Sequence, residues 1–314
     1  MMSMHTCACS QQDGVLVLNK PKGPTSAACI AMIKRRLGQK KIGHAGTLDP
    51  MASGVLLVLL GQGTKISGHL MDNGKKVYAG VALLGQNTDT WDAEGKIIGR
   101  ADASFVTPAM VEEAVSSFVG ETEQEVPPYS AAKHKGKPLY ELARKGLDVP
   151  VKTKTVHVFE AAVEWVDLPL FRFRVACGSG TYIRSLAHSL GIRLGCGATL
   201  TELTREYSHP FGLDAAYDLD EILDAPEKLA SRVARIADAL PSWRRIRLSP
   251  AEAERTRNGV ALPCDGEDGD CALLEDGEGN ALALARRDER AGIPVWAVDR
   301  GLWTENAVRS QPGG

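Results

Sequence analysis

The distribution of apolar positions predicts several strands. The run from Val55 to Leu60 contains no polar residue, which is typical of a strand buried on both faces. A second strand is predicted in GVLVLNK, near the N-terminus, and a third in VYAGVALL. Residues from His157 to Trp165 and from Leu170 to Cys177 are predicted to pair. In the latter strand, apolar and basic positions alternate, so two opposite faces carry Phe171, Phe173 and Val175 on one side and Arg172 and Arg174 on the other.

Helical patterns lie between these strands. Thr25 or Ser26 is predicted to cap a helix that Gly38 ends. Thr107-Pro108 opens another helix, which we expect to run through Phe118. VPPYSAAKHKGKPLYELARKG reads as a basic loop and a short helix, and GSGTYIRSLAHSLGIRLG as a glycine-rich turn leading into a helix. Because strands and helices are interleaved without strict βαβ spacing, we predict an α+β fold with a mixed sheet.

The positions of proline, glycine and aspartate residues predict two domains. A boundary is expected between Pro241 and Pro250, beyond which glycine and aspartate turns separate short strands. We therefore predict a disordered tail at 1–12, a large domain at 13–245 and a small β-rich domain at 246–314. The 314 residues, with 44% hydrophobic and 24% charged residues, are ordinary for a soluble globular protein.

Several classes of protein lack support in the sequence. No apolar run approaches the ~20 residues of a membrane span, and the first residues do not resemble a signal peptide. The seven cysteines are scattered without a C-x-x-C, which favours a reduced, cytoplasmic protein with no zinc site. A phosphate-cradling loop, a G-x-S-x-G elbow and metal-ligand spacing are all absent. We expect neither a cofactor nor a metal.

The net charge of −2 does not suggest a protein that binds nucleic acid, but the charges are unevenly distributed along the chain. Seven basic residues accompany only Asp49 between Gly14 and Thr64, and five accompany only Glu141 between Tyr129 and Gly146. Seven acidic residues, with no base among them, are concentrated from Asp265 to Glu278. Two basic segments remote from an acidic one favour a face that binds phosphates, although a charge run is usually just a solvated surface.

The segment GHAGTLDPMASGVLLVLL contains a single carboxylate. Asp49 precedes Pro50, which restricts the backbone of both residues, and the loop leads directly into the buried strand. A side chain in this position can be held precisely, as a catalytic group requires. The alternative is an Asx-turn aspartate that only organises the loop.

Five segments, in order, resemble the TruB family of bacterial tRNA pseudouridine-55 synthases. They are KPKGPTS, GHAGTLDPMASGVL, YAGVALLGQNTDTWDAEG, VPPYSAAKHKGKPLYELARKG and GTYIRSLAHSLG. The resemblance implies a pseudouridine synthase catalytic domain at 13–245 and a PUA-like RNA-binding domain at 246–314. It implies isomerisation of one uridine, position 55 in the T-loop of tRNA, after the base is flipped out of the RNA. The implied enzyme is a cytoplasmic monomer that binds the T-stem-loop without a protein partner, a membrane, a cofactor or a metal.

The resemblance also assigns roles to residues of the pocket. Asp49 matches the essential aspartate, and Arg184 matches an arginine beside it, where a guanidinium favours an ionised carboxylate. Tyr78 matches a tyrosine that stacks on the uracil, although a tyrosine on a strand is more often a core residue. Tyr182 matches another pocket tyrosine, which could instead pack under the helix.

Two further positions complete the predicted site. His44 matches a histidine that supports the opened T-loop, where the alternative is a simple loop hydrogen bond. Leu200 matches an apolar wall of the pocket, a role compatible with core packing. The loop from Tyr129 to Lys137 is a plausible RNA clamp.

Other positions are expected to be structural or to depart from the family. We expect Lys20 and Pro21 to support the catalytic loop, and Asp89 and Asp92 to shape a turn. Thr204 stands where the family commonly has the first of two arginines, so one contact differs. A non-catalytic RNA-binding or tRNA-folding protein is the alternative function, and a guide-RNA-dependent synthase subunit is a third.

Overall fold

The structure is a computed structural model that describes residues 11–303, except 73, 131, 135 and 265–268. Of the predicted tail at 1–12, only Gln11 and Gln12 fall within the described residues. Lys135 of the predicted clamp and the first four residues of the acidic segment lie outside them.

Over the described residues the chain forms eight α-helices. They are α1 Ser26–Leu37, α2 Ser67–Asp72, α3 Pro108–Ser116, α4 Leu139–Arg144, α5 Ile183–Arg193, α6 Leu219–Asp224, α7 Leu229–Arg232 and α8 Pro250–Arg257. Short 3₁₀ turns occupy Gly61–Ile66, Leu213–Ala215 and Pro226–Lys228.

The same residues form twenty strands. The first ten are β1 Gly14–Lys20, β2 Ile42–Ala45, β3 Ala52–Leu60, β4 Lys76–Leu84, β5 Gln86–Thr88, β6 Ile97–Arg100, β7 Gly120–Glu125, β8 Lys133–His134, β9 Lys137–Pro138 and β10 Thr153–Asp167. The others are β11 Leu170–Cys177, β12 Ala198–Ser208, β13 Phe211–Gly212, β14 Tyr217–Asp218, β15 Val233–Ala234, β16 Arg244–Arg247, β17 Leu262–Pro263, β18 Cys271–Glu275, β19 Ala281–Arg290 and β20 Ile293–Gly301.

The large sheet is mixed, which confirms the predicted α+β class. Its strands follow the order β14-β1-β3-β12-β4-β11-β10-β7, and three short strands pair outside this order, β2 with β3, β13 with β12 and β15 with β1. β12 runs parallel to β3 and antiparallel to β4. β10 and β11 pair antiparallel as predicted, with Phe171 and Phe173 buried and Arg174 exposed.

The two sides of β1 and β3 face two different cores. On one side their residues belong to a buried cluster that also contains residues of helices α1, α3, α5 and α6. On the other side they pack against the last third of the chain, including Leu273, Leu284 and Leu302. Both faces of β3 are therefore buried, which explains why its sequence is uniformly apolar from Val55 to Leu60.

Local signals place the helices accurately. The Thr25 side chain accepts a hydrogen bond from the Ala28 N–H at 3.0 Å, and Gly38 ends α1 in a left-handed conformation with φ of 63°. Thr107 caps α3 in the same way. This helix ends at Ser116, before the predicted Phe118, because the Ser116 and Ser117 hydroxyls hydrogen-bond back to carbonyls of the last turn.

Two segments differ from expectation. Gly43 and His44, predicted within a loop, belong to β2, which pairs with β3 from Ile42 to Ala45. β12 was not predicted at all, yet it lies at the centre of the large sheet. Its register brings Arg205 opposite both Gly54 of β3 and Tyr78 of β4.

The C-terminal residues form a separate five-stranded sheet in the order β16-β18-β19-β20-β17, with its own buried cluster around Trp296. This second sheet begins at Arg244, and the division at residue 245 stays a prediction. Among the helices of the described residues, none combines the length and apolar character that crossing a membrane requires.

The contact between β3 and β12 depends on Gly54. It adopts φ of 104°, and a Cβ there would lie 2.2 Å from the Arg205 carbonyl oxygen. We predict that Gly54→Ala lowers the free energy of unfolding by about 3 kcal/mol or more, since strain and overpacking add. Denaturant titration monitored by circular dichroism measures this loss.

Gly43→Ala is the matched control on the adjacent strand β2. A Cβ at Gly43 would meet only the Thr64 methyl group at 3.8 Å, an ordinary contact. We expect its unfolding free energy to change by less than about 1 kcal/mol. Equal losses in the two variants would contradict the close approach of β12 to Gly54.

Candidate active site

Asp49 lies on the short loop between β2 and β3, and the segment after β1 braces this loop. The buried Lys20 ammonium donates to the Ala52 carbonyl at 2.7 Å and the Pro50 carbonyl at 3.4 Å. The Gly23 N–H donates to Pro50, and the Ser26 hydroxyl exchanges two hydrogen bonds with the Leu48 backbone. Burial lowers the pKa of Lys20. These contacts agree with the supporting role expected for Lys20.

The structure brings Asp49 and Arg184 together, although 134 residues separate them in the chain. Arg184 Nε lies 2.9 Å from Asp49 Oδ2, and Nη2 donates a hydrogen bond to Oδ1 at 3.2 Å. The contact from Nε is an ion pair without a hydrogen bond, because the Nε–H bond is not directed at the carboxylate oxygen. The Arg184 side chain is 5% exposed, whereas that of Asp49 is 36% exposed. The carboxylate is thus held by a buried cation and still open to a ligand.

The remaining donors of Arg184 are engaged by two other segments. Nη1 donates to the Thr90 carbonyl at 3.0 Å and lies 3.4 Å from Asp92 Oδ2, and Nη2 donates to the Tyr129 carbonyl at 3.1 Å. Because a buried guanidinium requires partners for its donors, these contacts fix its orientation. The start of the predicted clamp is therefore bonded to the same guanidinium as Asp49.

Asp92 has a second contact that the sequence analysis missed. It shapes a turn as expected, accepting from the Thr90 hydroxyl at 2.6 Å and the Glu94 N–H at 3.1 Å. It also forms the ion pair with Arg184. The nearby Glu94 carboxyl has a raised pKa, caused by burial first and then by the charges of Asp92 and Asp49. Other carboxylates thus lie near Asp49 in space, although none does in sequence.

Arg205 supports the Asp49 loop from the side of β12. It is 1% exposed, and it donates to the Val55 carbonyl at 2.7 Å and the Gly46 carbonyl at 2.9 Å. Gly46 adopts φ of 80°, and a Cβ there would meet the Arg205 guanidinium at 3.4 Å. Thr204, which replaces the first expected arginine, instead shares a hydrogen bond of 3.0 Å with the Ser53 hydroxyl.

Tyr78 and His44 lie near this arginine. Tyr78 is 7% exposed, and burial raises the pKa of its phenol against the opposing charge of Arg205. His44 is half-buried on β2, and its Nδ1 has no hydrogen-bond partner among the described residues. Burial and then Arg205 lower the pKa of His44, so its imidazole is neutral at neutral pH.

Tyr182 and Leu200 occupy different environments. Tyr182 immediately precedes α5 and is half-buried; the Gln124 amide binds its backbone N–H at 2.7 Å and carbonyl at 3.0 Å. The Lys154 ammonium lies 5.1 Å from the centre of the Tyr182 ring. Leu200 is completely buried, and a Cβ at Gly80 would lie 3.1 Å from it. Leu200 is thus a core residue, and its contribution to a pocket wall stays a prediction.

The turn that carries Thr90 and Asp92 has an unusual centre. Trp91 has φ of 63°, a conformation that costs a non-glycine residue about 1–3 kcal/mol. Its ring stacks on His188 of α5, with centroids 4.3 Å apart and planes inclined by 6°. This pair could not be predicted, because neither periodicity nor motif spacing indicates a left-handed tryptophan.

Comparisons with known proteins agree with this geometry. Residues 34–183 match the TruB family pseudouridylate synthase N-terminal domain. The chain is 60% identical to tRNA pseudouridine synthase B of Oleidesulfovibrio alaskensis, over 94% of this chain and 97% of that protein. It is also 60% identical to the protein of the same name from Nitratidesulfovibrio vulgaris strain Hildenborough, over 94% of this chain and 99% of that one.

A solved structure resembles the whole fold. The crystal structure of a Cbf5-Nop10-Gar1 complex aligns with a TM-score of 0.70 and 26% identity, covering 94% of this chain and 86% of the matched chain. The sequence relatives, which the chain matches over nearly their full length, agree with the family indicated by its motifs. The chain belongs to the TruB family of pseudouridylate synthases.

Proposed function

We propose that this protein isomerises a uridine in the T-loop of tRNA, at position 55, to pseudouridine, with Asp49 as the catalytic residue. The C1′–N1 glycosidic bond breaks, the uracil turns, and a C1′–C5 bond forms. C5 loses a proton and N1 gains one, so that no atom is added or removed. The curated relatives are named for this activity on tRNA.

The observation that carries the proposal is the Asp49–Arg184 pair. An ionised carboxylate is needed whether it attacks the ribose, attacks the uracil or removes a ribose proton. The contacts from Nε and Nη2 hold the Asp49 carboxyl group against a cation, and the 36% exposure of the Asp49 side chain leaves it open to RNA. Without Asp49, the buried Arg184 would keep only Asp92 as a carboxylate partner among the described residues, and buried charges in folded proteins depend on such partners.

The surrounding residues would bind the extruded nucleoside. Tyr78 would stack on the uracil, and its raised pKa keeps the phenol protonated and uncharged. His44, whose lowered pKa leaves the imidazole neutral, would support the opened T-loop as an uncharged side chain. Tyr182 would line the pocket, and Leu200 would form part of its apolar wall from within the core.

The RNA itself would be held mainly through its backbone. Lys34 and Arg35 are exposed in the last turn of α1, and the exposed Lys40 and Lys41 follow before β2. These residues precede His44 in the chain, and they suit the phosphates of a stem-loop. Flipping the target base costs a few kcal/mol for unstacking, which such contacts would offset.

The remaining parts of the proposal concern organisation. The catalytic domain would span 13–245 and the PUA-like domain 246–314. The isomerisation consumes no second substrate, so it would require no redox cofactor, metal or ATP. The family resemblance also implies that the protein would act in the cytoplasm as a monomer, without a protein partner.

We predict that Asp49→Asn lowers pseudouridine formation at least about 1,000-fold while leaving RNA affinity largely unchanged. The amide is nearly isosteric with the carboxylate but cannot act as nucleophile or base. The measurement is release of tritium from a T-stem-loop RNA labelled at uridine C5, together with filter binding of the same RNA.

Asp89→Asn is the matched control. Asp89 Oδ1 accepts a hydrogen bond from the Lys96 N–H at 2.8 Å, which an asparagine oxygen can also accept. We expect activity within about threefold of the wild type. Full activity of Asp49→Asn would instead support a non-catalytic RNA-binding or tRNA-folding role.

Arg184→Lys tests the second member of the pair. An ammonium keeps the charge but cannot make the forked contact or reach Thr90, Asp92 and Tyr129 together. We predict that kcat falls about 100-fold, a loss typical of a catalytic group that is no longer held in place. Single-turnover kinetics at saturating RNA measure this rate.

The control for this variant is Arg193→Lys, at the exposed end of the same helix. Its guanidinium lies over the Phe118 ring and donates a hydrogen bond to the Ser117 hydroxyl, and neither contact involves the Asp49 loop. Its kcat should remain close to that of the wild type. Equal kcat values for Arg184→Lys and the wild type would contradict the proposed role of the forked contact.

A further inference from the structure

The buried Trp91 and the half-buried His188 form an aromatic pair that the proposed chemistry does not use. Trp91 is 7% exposed and has φ of 63°, and its ring lies nearly parallel to that of His188. Left-handed conformations of bulky residues persist only where the surroundings over-determine them, and they cluster at functional sites. The energetic penalty therefore calls for a gain elsewhere in the molecule.

The pair lies directly behind Arg184. His188 follows Arg184 by four residues on α5, so the two side chains project from one face of that helix, one turn apart. Both residues that flank Trp91 contact Arg184. The Thr90 carbonyl lies 3.0 Å and the Asp92 carboxylate 3.4 Å from Arg184 Nη1. The turn thus contacts α5 at two places: at the Arg184 guanidinium and, one helical turn later, at the His188 ring.

The other attachment of this turn is to β12. The Leu200 N–H donates to the Trp91 carbonyl at 3.1 Å, and the Ala93 N–H donates to the Leu200 carbonyl at 3.0 Å. These backbone bonds position the turn relative to the sheet. The distance between the turn and α5 is set by side-chain contacts instead. A flat stack of two rings fixes that distance, because closer approach meets repulsion and separation loses contact.

The surroundings of His188 show that packing rather than hydrogen bonding places its ring. Its Nδ1 is buried and has no hydrogen-bond partner among the described residues. A half-buried imidazole whose Nδ1 lacks that bond contributes chiefly through the face that stacks on Trp91. A phenyl ring should therefore be able to replace it.

We propose that Trp91 and His188 are positioning residues for the reaction: their stack sets the turn against α5 so that Thr90 and Asp92 orient Arg184, and Arg184 in turn orients Asp49. The proposal rests on the catalytic role proposed above for Asp49 and Arg184. The stack acts through the guanidinium and has no contact with the reacting atoms.

The primary test is Trp91→Gly. Glycine adopts a φ of 63° without strain, so the variant removes the ring while leaving the turn its preferred conformation. We expect kcat on T-stem-loop RNA to fall about 10- to 100-fold, since small displacements of a catalytic group have effects of this size. KM should change less than about twofold, because the missing ring does not bind RNA.

Ring-preserving variants separate positioning from general destabilisation. Trp91→Phe and His188→Phe keep a stack and should retain kcat within about threefold, whereas His188→Ala should behave like Trp91→Gly. The double variant Trp91→Gly/His188→Ala should be little slower than either single variant, since both remove one interaction. The two His188 variants give the same comparison if Trp91→Gly does not fold.

Trp165→Gly controls for loss of a tryptophan elsewhere. Trp165 is 41% exposed on β10, where its loss should lower the melting temperature without lowering kcat. A readout without RNA is the Nε–Hε NMR signal of Arg184, which should shift or broaden in Trp91→Gly and stay in place in Trp91→Phe.

The outcomes distinguish this inference from the proposed function. If the wild-type protein forms no pseudouridine, the proposed function is wrong. If the wild type is active but Trp91→Gly retains its kcat and its Arg184 signal, only the positioning role is overturned. A variant that raises KM while kcat stays constant would also overturn it, because that result indicates RNA binding.

Discussion

The buried guanidinium of Arg184 is the constraint on which the rest of the site depends. A cation that is 5% exposed requires charged or hydrogen-bonding partners, and Arg184 contacts Asp49, Thr90, Asp92 and Tyr129. These partners come from three separate stretches of the chain. The start of α5 is therefore the point at which the Asp49 loop, the turn after β5 and the loop that begins at Tyr129 meet. Of the carboxylates of Asp49 and Asp92, which both contact Arg184, that of Asp49 is the more exposed, at 36% against 6%.

The rigidity of the Asp49 loop comes from long cationic side chains that serve the backbone. Lys20 donates to carbonyls on one side of the loop, and Arg205 donates to carbonyls on the other. Gly46 and Gly54 leave room for Arg205 and for the strand that carries it. Because both cations are buried, moving the loop would leave charged donors unpaired, and the carboxylate is thereby preorganised.

Features governed by local physics were predictable from the sequence. The uniformly apolar β3, the Thr25 and Gly38 ends of α1 and the alternating β11 all depend on neighbouring residues. β12 was missed because its polar residues face neighbours distant in the chain, as Thr204 does with Ser53. His44 lies on a strand, not in a loop, because pairing with β3 overrides its flanking glycines. Family motifs proposed Asp49 with Arg184, whereas the Asp92 contact and the Trp91 stack exist only through tertiary structure.

The most direct test of the account is a crystal structure of the Asp49→Asn protein bound to a T-stem-loop RNA. The account predicts that the target uridine has left the base stack and lies against Tyr78, with its ribose or uracil about 3 Å from the side chain of residue 49. Arg184 should still contact that side chain. A uridine that remains stacked within the loop, or a complex in which residue 49 faces no nucleoside, would contradict the central claim.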